Sequence, residues 1–476
     1  MLLFTYMYEG VNKMGEKKST RIESDGMGSI EVPSNKYWGA QTQRSLLHFK
    51  PTNEIFPISL INGLLTIKVC AAKVNTKLNV LDEKIANAIV QAGNEALEGK
   101  LAGNFPLSIW QTGSGTQTNM NVNEVLSNRA IEILGGVMGS KNPVHPNDHV
   151  NLGQSSNDSF PTAMNIATVV ASHDKLLPAI NTLIFILEQK QEEYKDIIKI
   201  GRTHLQDATP ITLGQEFSGY VTQMKKAHER IERALEELYY LGQGGTAVGN
   251  GLNCPDGFVD LFIDEVCEMT KLPFKSSPNK FYSIAAHDDL VNFSGSLNSF
   301  AVALTKIIND IRLLSCGPRT GIAELILPEN EPGSSIMPGK VNPTQIEALS
   351  MVCAQVMSSH YAVTLGGMQG HLELNAYKPL IIYNILNSIN ILDTAINGFN
   401  HYCLEGLQAN TFVMDKLVNR SLMLVTSLTK HIGYDKSAEI AKLAHKEFMT
   451  LKEAALKLGY CTEEEFDKWV NPQHMI

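Results

Sequence analysis

The chain has 476 residues, more than one domain usually needs, so we expect two or three domains with a large buried core. Its 49 acidic and 40 basic residues give a net charge of −9 without a basic run, which argues against a nucleic-acid-binding protein. Seven scattered cysteines without C-x-x-C spacing favour free thiols in a reducing compartment and argue against a zinc or iron-sulfur site.

The first 20 residues are expected to form a disordered leader. They contain a short apolar patch with no positive residue ahead of it, and Glu9 and Glu16 follow closely, so neither a secretory signal nor a mitochondrial transit peptide is indicated. We find no apolar run long enough to cross a bilayer, and no membrane partner is expected. These features favour the cytoplasm over the mitochondrial matrix.

Residues 21–154 are interpreted as an N-terminal domain. Alternation of apolar and polar residues over 27–33 predicts a short strand. A polar loop at 112–117 leads into a predicted helix at 119–134. The segment 135–154 contains two prolines and is predicted to be a loop.

Long amphipathic helices dominate residues 155–411, which we interpret as a central domain. Apolar residues recur every three or four positions over 287–316, which predicts a helix of about 30 residues and about 45 Å. Residues 213–241 show the same pattern. Apolar residues continue around several of these helices, so we expect whole chains to pack against one another. Further long helices are predicted at 160–194, 342–366 and 377–407.

Shorter helices are predicted after residue 411, and we assign 412–476 to a small C-terminal helical domain. Thr462 followed by Glu465 has the spacing of a capping box, in which each side chain bonds the backbone of the other residue. The predicted fold class is therefore mainly α, with three domains and a central bundle of long helices.

The most distinctive stretch is Gly333-Ser-Ser-Ile-Met-Pro-Gly-Lys-Val-Asn-Pro343. Its glycines and prolines predict a loop that presents polar groups. Asn342 is predicted to cap the following helix, with Pro343 at its first position and Gln345 completing a capping box. The positive end of that helix, together with Lys340, predicts an anion-binding site.

Three more polar loops lie at the ends of predicted helices, at 112–117, 154–158 and 201–210. Each loop alone is typical of a capping turn, and we expect Asn157-Asp158 and Thr212 to cap helices. Together the loops offer many hydroxyl and amide donors and few charges, which suits a small dicarboxylate.

His204 is the best candidate among the thirteen histidines for general acid or base catalysis, although a lone histidine is more often structural. It stands in a polar loop, flanked by Thr203 and Asp207. Glu347, one turn into the helix after Asn342, is the candidate to orient this imidazole. Because the two segments are far apart in sequence, only the fold can bring them together.

Four motifs resemble those of the aspartase/fumarase superfamily and, within it, the class II fumarate hydratases. The resemblance extends from about residue 21 to residue 471. His204 favours the hydratases, because aspartases carry glutamine at that position. The motifs are Thr112-Gly-Ser-Gly-Thr-Gln117, Ser155-Ser-Asn-Asp158, Gly201-Arg-Thr-His204 and the stretch from Gly333 to Pro343.

The resemblance implies reversible hydration of fumarate to (S)-malate, a reaction of the tricarboxylic acid cycle, through an aci-carboxylate intermediate and without a metal or another cofactor. It implies a homotetramer whose central helices form one bundle. Each active site would take loops from three chains.

The resemblance also implies roles for individual residues. Ser334 would be the base, and His204, paired with Glu347, would handle water or hydroxide. The implied catalytic set is His204, Ser334, Lys340, Asn342 and Glu347. The residues implied to bind the two carboxylates are Ser114, Thr116, Ser155, Ser156, Asn157, Thr203, Ser335, Lys340 and Asn342.

A second, non-catalytic dicarboxylate site is implied at His145, Asn147 and Asp148. The sequence departs from the family pattern beside this site. Asn142 replaces a frequent arginine, and Asn151-Leu-Gly-Gln154 replaces Asn-Lys-Ser-Gln. We therefore expect this second site to be weak.

Two other functions remain open from the sequence. An aspartate ammonia-lyase would not need a histidine at 204, and a non-catalytic helical scaffold would not need Ser334, Lys340 or His204. Cleavage of argininosuccinate or adenylosuccinate is disfavoured, because no feature suits so large a leaving group.

Overall fold

The computed structural model describes residues 19–50 and 52–476, so the predicted leader lies almost wholly outside the described residues. The chain divides into two compact units. The first comprises the residues up to Ala167 together with Tyr239–His287 and Gln369–Tyr383, and the second comprises Thr168–Leu238, Asp288–Met368 and Asn384–Ile476. The division into three domains stays a prediction.

Helices dominate both units, as the fold class predicted. The α-helices of the described residues are α1 Ala40–His48, α2 Ile58–Lys77, α3 Glu83–Leu97, α4 Thr116–Ile133, α5 Ser156–Ala171, α6 Leu177–Glu193, α7 Leu213–Leu238, α8 Phe258–Thr270, α9 Lys280–Ala285, α10 Asp288–Leu314, α11 Thr344–Gly367, α12 Lys378–Phe399, α13 Thr411–Arg420, α14 Thr429–Ile432, α15 Tyr434–Glu447, α16 Leu451–Leu458 and α17 Glu463–Trp469. Short π-helical turns occur at Pro146–Val150, Ser172–Leu176 and Asn400–Leu404, and 3-10 helices at Leu422–Leu428 and Pro472–Met475.

The strands of the described residues pair in twos. They are β1 Thr20–Asp25, β2 Gly28–Pro33, β3 Ile198–Thr203, β4 Gln206–Thr212, β5 Tyr240–Leu241, β6 Lys275–Ser276, β7 Leu325–Ile326, β8 Gly370–His371, β9 Leu374–Asn375 and β10 Gln408–Ala409. The pairs are β1–β2, β3–β4, β5–β6, β7–β10 and β8–β9, and only β5–β6 is parallel.

In the first unit, α2 forms the centre of the core. Leu60, Leu64, Ile67 and Val74 on this helix are fully buried, and α2 packs against α3, α4 and α8. The predicted strand at 27–33 is confirmed as β2, which pairs with β1. The predicted helix at 119–134 is confirmed as α4, although it begins three residues earlier.

In the second unit, the long helices α6, α7, α10 and α11 pack side by side. The predicted helix at 287–316 is confirmed as α10, whose apolar stripe is buried, with Phe293, Phe300 and Leu304 fully covered. The stripe faces neighbouring helices because its members lie three or four residues apart, on one side of the helix.

The shorter helices after Thr411 are confirmed, and the last of them pack around their own apolar cluster, which includes Leu428, Ile440, Ala454 and Phe466. Thr462 and Glu465 form the predicted capping box. A second capping box begins α16, at Thr450 and Glu453.

Three helical segments are long and apolar enough to cross a membrane by length and composition alone: Ile58–Lys77, Ser156–Glu193 and Lys378–Leu404. The expectation that no such run exists was therefore wrong. The most apolar window of Ile58–Lys77 is 78% buried inside the protein, because α2 is covered on several sides and needs apolar residues all around. Burial within a fold and burial in lipid select the same composition.

Candidate active site

Three hydroxyls that the family resemblance assigns to carboxylate binding meet in the first unit. The Oγ of Ser114 lies 2.8 Å from the Oγ1 of Thr116, which lies 2.7 Å from the Oγ of Ser156. Thr116 is the first residue of α4 and Ser156 is the first residue of α5. The structure thus brings together side chains from two loops about 40 residues apart, at the N-terminal ends of two helices.

The close approach of the backbone fixes the shape of the 112–117 loop. A Cβ on Gly113 would lie 1.4 Å from the carbonyl oxygen of Ala376, and one on Gly115 would lie 2.3 Å from the Phe160 ring. Gly115 also has a left-handed backbone, with φ of +78°. Both positions therefore require glycine.

The loop before α5 is held by Ser155 and Asp158. The Ser155 Oγ accepts the N–H of Asn157 at 3.1 Å, and the Asp158 Oδ1 accepts the N–H of Ser155 at 2.9 Å. Our prediction that Asn157 and Asp158 cap this helix was wrong, because the helix begins earlier and Ser155 takes the capping position. Asn157 instead donates to the carbonyl oxygen of Ala247 at 2.8 Å.

Asp158 is fully buried, and burial raises the pKa of its carboxyl to about 6. Hydrogen bonds from backbone N–H groups oppose this rise: Asp158 Oδ2 accepts those of Gly244 at 3.0 Å and Thr246 at 2.9 Å. The sequence did not predict this support from the Gly242–Thr246 segment. The only signal was its run of glycines, which is typical of close backbone packing.

His204 stands at the tip of a β-hairpin in the second unit, and not in the irregular loop that we predicted for 201–210. β3 and β4 pair up to Thr203 and Gln206, leaving His204 and Leu205 as a two-residue turn with φ of 55° and 58°. Two left-handed residues are typical of the type I′ turn, which matches the twist of the strands. The pattern of apolar residues did not predict this hairpin, because both strands contain polar residues.

The side chains of Thr203 and His204 are exposed. Within the described part of one chain, the His204 imidazole makes no hydrogen bond or ion pair.

Below the turn, Lys199 is buried, and its Nζ lies 2.8 Å from Glu216 and 3.2 Å from Glu324. Thr212 caps α7 as predicted, since its Oγ1 accepts the N–H of Gln215 at 3.0 Å.

The loop at 333–343 positions the hydroxyl of Ser334. Its Oγ accepts the backbone N–H groups of Ile336 at 3.2 Å and Met337 at 3.0 Å. Ser335 and Lys340 are exposed, and the Lys340 ammonium has no partner among the described residues of the chain. The loop thus presents two hydroxyls and one unpaired cation.

Asn342 does not cap the following helix, so that prediction was wrong. Its Nδ2 donates to the carbonyl oxygen of Gly333 and closes the neck of the loop. α11 begins at Thr344 after Pro343, without a side-chain cap, so the predicted capping box with Gln345 is not formed. A cap would use the Asn342 Oδ1 to accept a helix N–H, but α11 begins two residues after Asn342, with Pro343 at the N-cap position.

Glu347 lies in the first turn of α11 and is exposed. One of its carboxylate oxygens lies 3.6 Å from the Nη2 of Arg312. Within the described residues of one chain it does not contact His204, so its pairing with that imidazole stays a prediction.

The three residues of the implied second site lie together in the first unit. The Nδ1 of His145 accepts the backbone N–H groups of Asn147 at 3.2 Å and Asp148 at 3.1 Å, and so caps the short π-helical turn. Burial lowers the pKa of His145, although the nearby Asp148 opposes this. The Nδ1 atom is used locally, which leaves Nε2 as the ring atom for a ligand.

Among the described residues, no group of three or more His, Cys, Asp or Glu side chains is placed to hold a metal ion. All seven cysteines are free thiols.

Sequence comparisons agree with the site motifs. The family profile described as lyase matches residues 28–358, and the profile described as fumarase C C-terminus matches residues 424–476. The chain is 60% identical over 456 residues to the fumarate hydratase class II of Rickettsia bellii (strain RML369-C), with 96% of this chain and 98% of the relative covered. It is 58% identical over 466 residues to the mitochondrial fumarate hydratase of Homo sapiens, with 98% and 91% covered.

The fold agrees as well. The crystal structure of recombinant class II fumarase from Schistosoma mansoni matches with a TM-score of 0.93 and 47% identity, covering 96% of this chain and 99% of that one. A family profile that spans most of the chain, relatives near 60% identity and a structural match over nearly the whole length lead to one conclusion. The chain belongs to the lyase family and, within it, to the class II fumarate hydratases.

Proposed function

We propose that the protein catalyses the reversible addition of water to fumarate, giving (S)-malate. The observation that carries this proposal is the meeting of the Ser114 hydroxyl with those of Thr116 and Ser156, which are the first residues of two helices. Hydroxyl donors at the positive ends of helices bind a carboxylate without a full opposite charge. We assign Ser155 and Asn157 to the same end of the substrate, and Thr203 and Ser335 to its other contacts.

The difficult step is removal of a proton from the carbon beside a carboxylate, because it leaves a doubly charged aci-carboxylate. We assign Ser334 as the base. A serine hydroxyl is a weak base at its ordinary pKa and needs groups that stabilise its alkoxide. The N–H groups of Ile336 and Met337 already point at the Ser334 Oγ, which supports this assignment.

Lys340 and Asn342 are assigned to the charge that develops on the carboxylate. The unpaired Lys340 ammonium is available for this purpose. The Asn342 Nδ2 carries a second N–H besides the one bonded to the carbonyl oxygen of Gly333, so it can donate to the substrate while the neck stays closed. We include closure of the loop over the substrate as part of the mechanism.

His204 is assigned to the proton transfer that delivers or removes water. The turn holds its imidazole in the open, where a substrate or another chain can reach it. We propose that Glu347 of a second copy orients this imidazole, since within the described residues of one chain His204 has no partner.

We propose a homotetramer with active sites shared between chains. Two large apolar side chains on α11 support this, since Met351 is 69% exposed and Tyr361 is 67% exposed. Large apolar side chains exposed on a long helix are typical of a subunit interface. The exposed positions of His204, Ser335 and Lys340 are also what a site completed by other copies needs.

We propose three further assignments. His145, Asn147 and Asp148 form a weak second dicarboxylate site. The C-terminal residues 412–476 form a separate domain, which their own apolar cluster supports. The protein acts in the cytoplasm, where free thiols are maintained.

The function is tested by following fumarate loss and product formation in buffer containing EDTA, with and without ammonium. We expect malate at the same rate in both buffers. Aspartate formed only with ammonium would establish the ammonia-lyase instead, and no turnover in any buffer would favour a helical scaffold.

A further inference from the structure

A lysine ammonium is buried beneath the carboxylate-binding loop of the first unit. Lys68 lies in the middle of α2 and has no exposed surface. Its Nζ donates to two neutral amide oxygens, Asn151 Oδ1 and Gln154 Oε1, each at 2.9 Å. Within the described residues, no carboxylate lies within ion-pair distance of this ammonium. A buried cation bonded only to neutral groups is costly, so its position calls for an explanation.

The hydrogen bonds of Lys68 lead directly to the loop. The Asn151 Oδ1 also accepts the side-chain amides of Asn119 at 3.2 Å and Asn123 at 3.1 Å, so three donors converge on one oxygen. The Asn151 Nδ2 in turn donates to the carbonyl oxygen of Gln154 at 3.1 Å. Lys68 and Asn151 therefore fix both the side chain and the backbone of Gln154.

Gln154 immediately precedes the residues that we assign to the substrate. Ser155 follows it and caps α5, and the Ser156 Oγ lies 2.7 Å from the Oγ1 of Thr116. Any shift of Gln154 moves Ser155 and Ser156 with it, because they are consecutive in the chain. Lys68 is thus connected to the Thr116 and Ser156 hydroxyls through Gln154 and the backbone that follows it.

The positive charge of Lys68 is also available to attract an anionic ligand. Asp158 is the buried acid whose charge acts on it, but its oxygens are occupied by backbone N–H groups, including those of Ser155 and Thr246. A cation without a directly bonded anion in a low-dielectric region attracts a dianion placed nearby. Burial lowers the pKa of Lys68 to about 7, while Asp158 raises it.

We infer that Lys68 is a positioning residue for the Ser155–Asn157 turn and that its charge increases the affinity of this turn for a dianionic C4 substrate. The inference rests on the proposed function, since it concerns the carboxylate-binding end of that site. It assigns Lys68 no contact with the substrate and no proton transfer.

The test is the Lys68→Met variant, assayed for fumarate hydration and thermal unfolding. Methionine nearly matches the length of the lysine chain without its charge, and apolar replacements of buried charges are often neutral for stability. We expect the KM for fumarate to increase about 10-fold or more, with kcat changed less than about threefold and the Tm retained, because the lost interaction is present in ground state and transition state alike. A KM within twofold of the parent, or a loss of kcat and Tm at unchanged KM, would overturn the inference.

Lys73→Met is the matched control. Lys73 lies on the same helix, but its ammonium pairs with Glu265 at 3.1 Å and not with the loop. We expect its KM to stay within twofold of the parent. An equal increase in KM in this variant would show that any positive charge on α2 has the same effect, and would overturn the inference.

Two more variants complete the test. Gln154→Leu removes the amide oxygen that joins Lys68 to the loop, and decides the question if Lys68→Met does not fold. We expect its KM to increase at least about fivefold, and an unchanged KM would contradict the inference. Ser156→Ala tests the proposed site itself. If it leaves the KM unchanged, the site assignment fails, whereas an increase in KM for Ser156→Ala but not for Lys68→Met overturns the inference alone.

Discussion

Arg202 and Glu324 form a two-point ion pair beneath the turn that carries His204. The Arg202 Nη1 and Nη2 atoms lie 3.0 and 2.9 Å from the two carboxylate oxygens of Glu324. Glu324 is fully buried. The guanidinium belongs to β3, two residues before His204, so this pair fixes the strand that ends in the histidine. Matching two donors to two acceptors sets an orientation as well as a distance.

Replacing Glu324 by glutamine should destabilise the protein strongly. Glu324→Gln leaves the Arg202 guanidinium and the buried Lys199 ammonium with less compensating charge. We expect the free energy of unfolding to fall by about 3 kcal/mol or more in urea denaturation. Glu192→Gln, at the exposed pair with Lys195, should change it by less than about 0.5 kcal/mol. Similar values for the two variants would contradict the structural role of the buried pair.

His204→Asn tests the role of the imidazole without disturbing the turn. Asparagine tolerates the left-handed backbone that His204 adopts, with φ of 55°. We expect turnover to fall by about 100-fold or more with an unchanged thermal unfolding curve. His401→Asn is the matched control, because His401 is an exposed histidine paired with Glu405. Near-normal turnover in His204→Asn would remove the histidine from the mechanism.

Gly333→Ala tests the neck of the serine loop. A Cβ at Gly333 would lie 2.0 Å from the carbonyl oxygen of Lys340, so the neck must open. We expect turnover to fall about 10-fold or more, since Ser334 and Lys340 would lose their relative placement. Gly219→Ala serves as control. Apart from neighbouring residues of α7 itself, no heavy atom of the described residues lies within 4 Å of the added carbon. If the two alanine variants have equal turnover, the neck is not needed for catalysis.

The buried imidazole of His287 is expected to make the protein less stable in mild acid. It is buried, and burial, with the charge of Lys378, lowers the pKa of its imidazole to about 3 from an ordinary value of 6.5. Between pH 6.5 and pH 3 the unfolded chain therefore binds a proton that the folded chain does not. The contribution of neutral His287 to the free energy of unfolding is thus complete above pH 6.5 and decreases as the pH falls below that value. Between pH 7.5 and 5.5 we expect the parent to lose about 1.4 kcal/mol more than His287→Met in urea denaturation. Equal losses would contradict this assignment.

The sequence predicted best where one physical pattern dominates. α7 and α10 end within a few residues of their predicted limits, because a single apolar stripe faces a single core. The hydroxyls of Ser114, Thr116 and Ser156, which the family resemblance assigned to carboxylate binding, do meet. The resemblance of four motifs supplied the reaction, which periodicity alone does not contain.

The sequence predicted poorly where a side chain has a choice of partners. Asn342 was expected to cap α11, but its amide bonds to the carbonyl oxygen of Gly333, nine residues away. Asn157 lost the capping position to Ser155, since both residue types suit it equally. The hairpin around His204 was missed because its strands lack a clear alternation of apolar and polar residues.

The central claim is that His204 and Ser334 of different copies meet around one fumarate. His204→Asn and Ser334→Ala, each expected to be nearly inactive, should be unfolded together, refolded as a mixture and assayed for fumarate hydration. When the copies mix at random, about a quarter of the sites take an intact His204 from one copy and an intact Ser334 from another. We therefore expect about a quarter of the parent activity to return. A mixture no more active than the two variants refolded separately would contradict the claim.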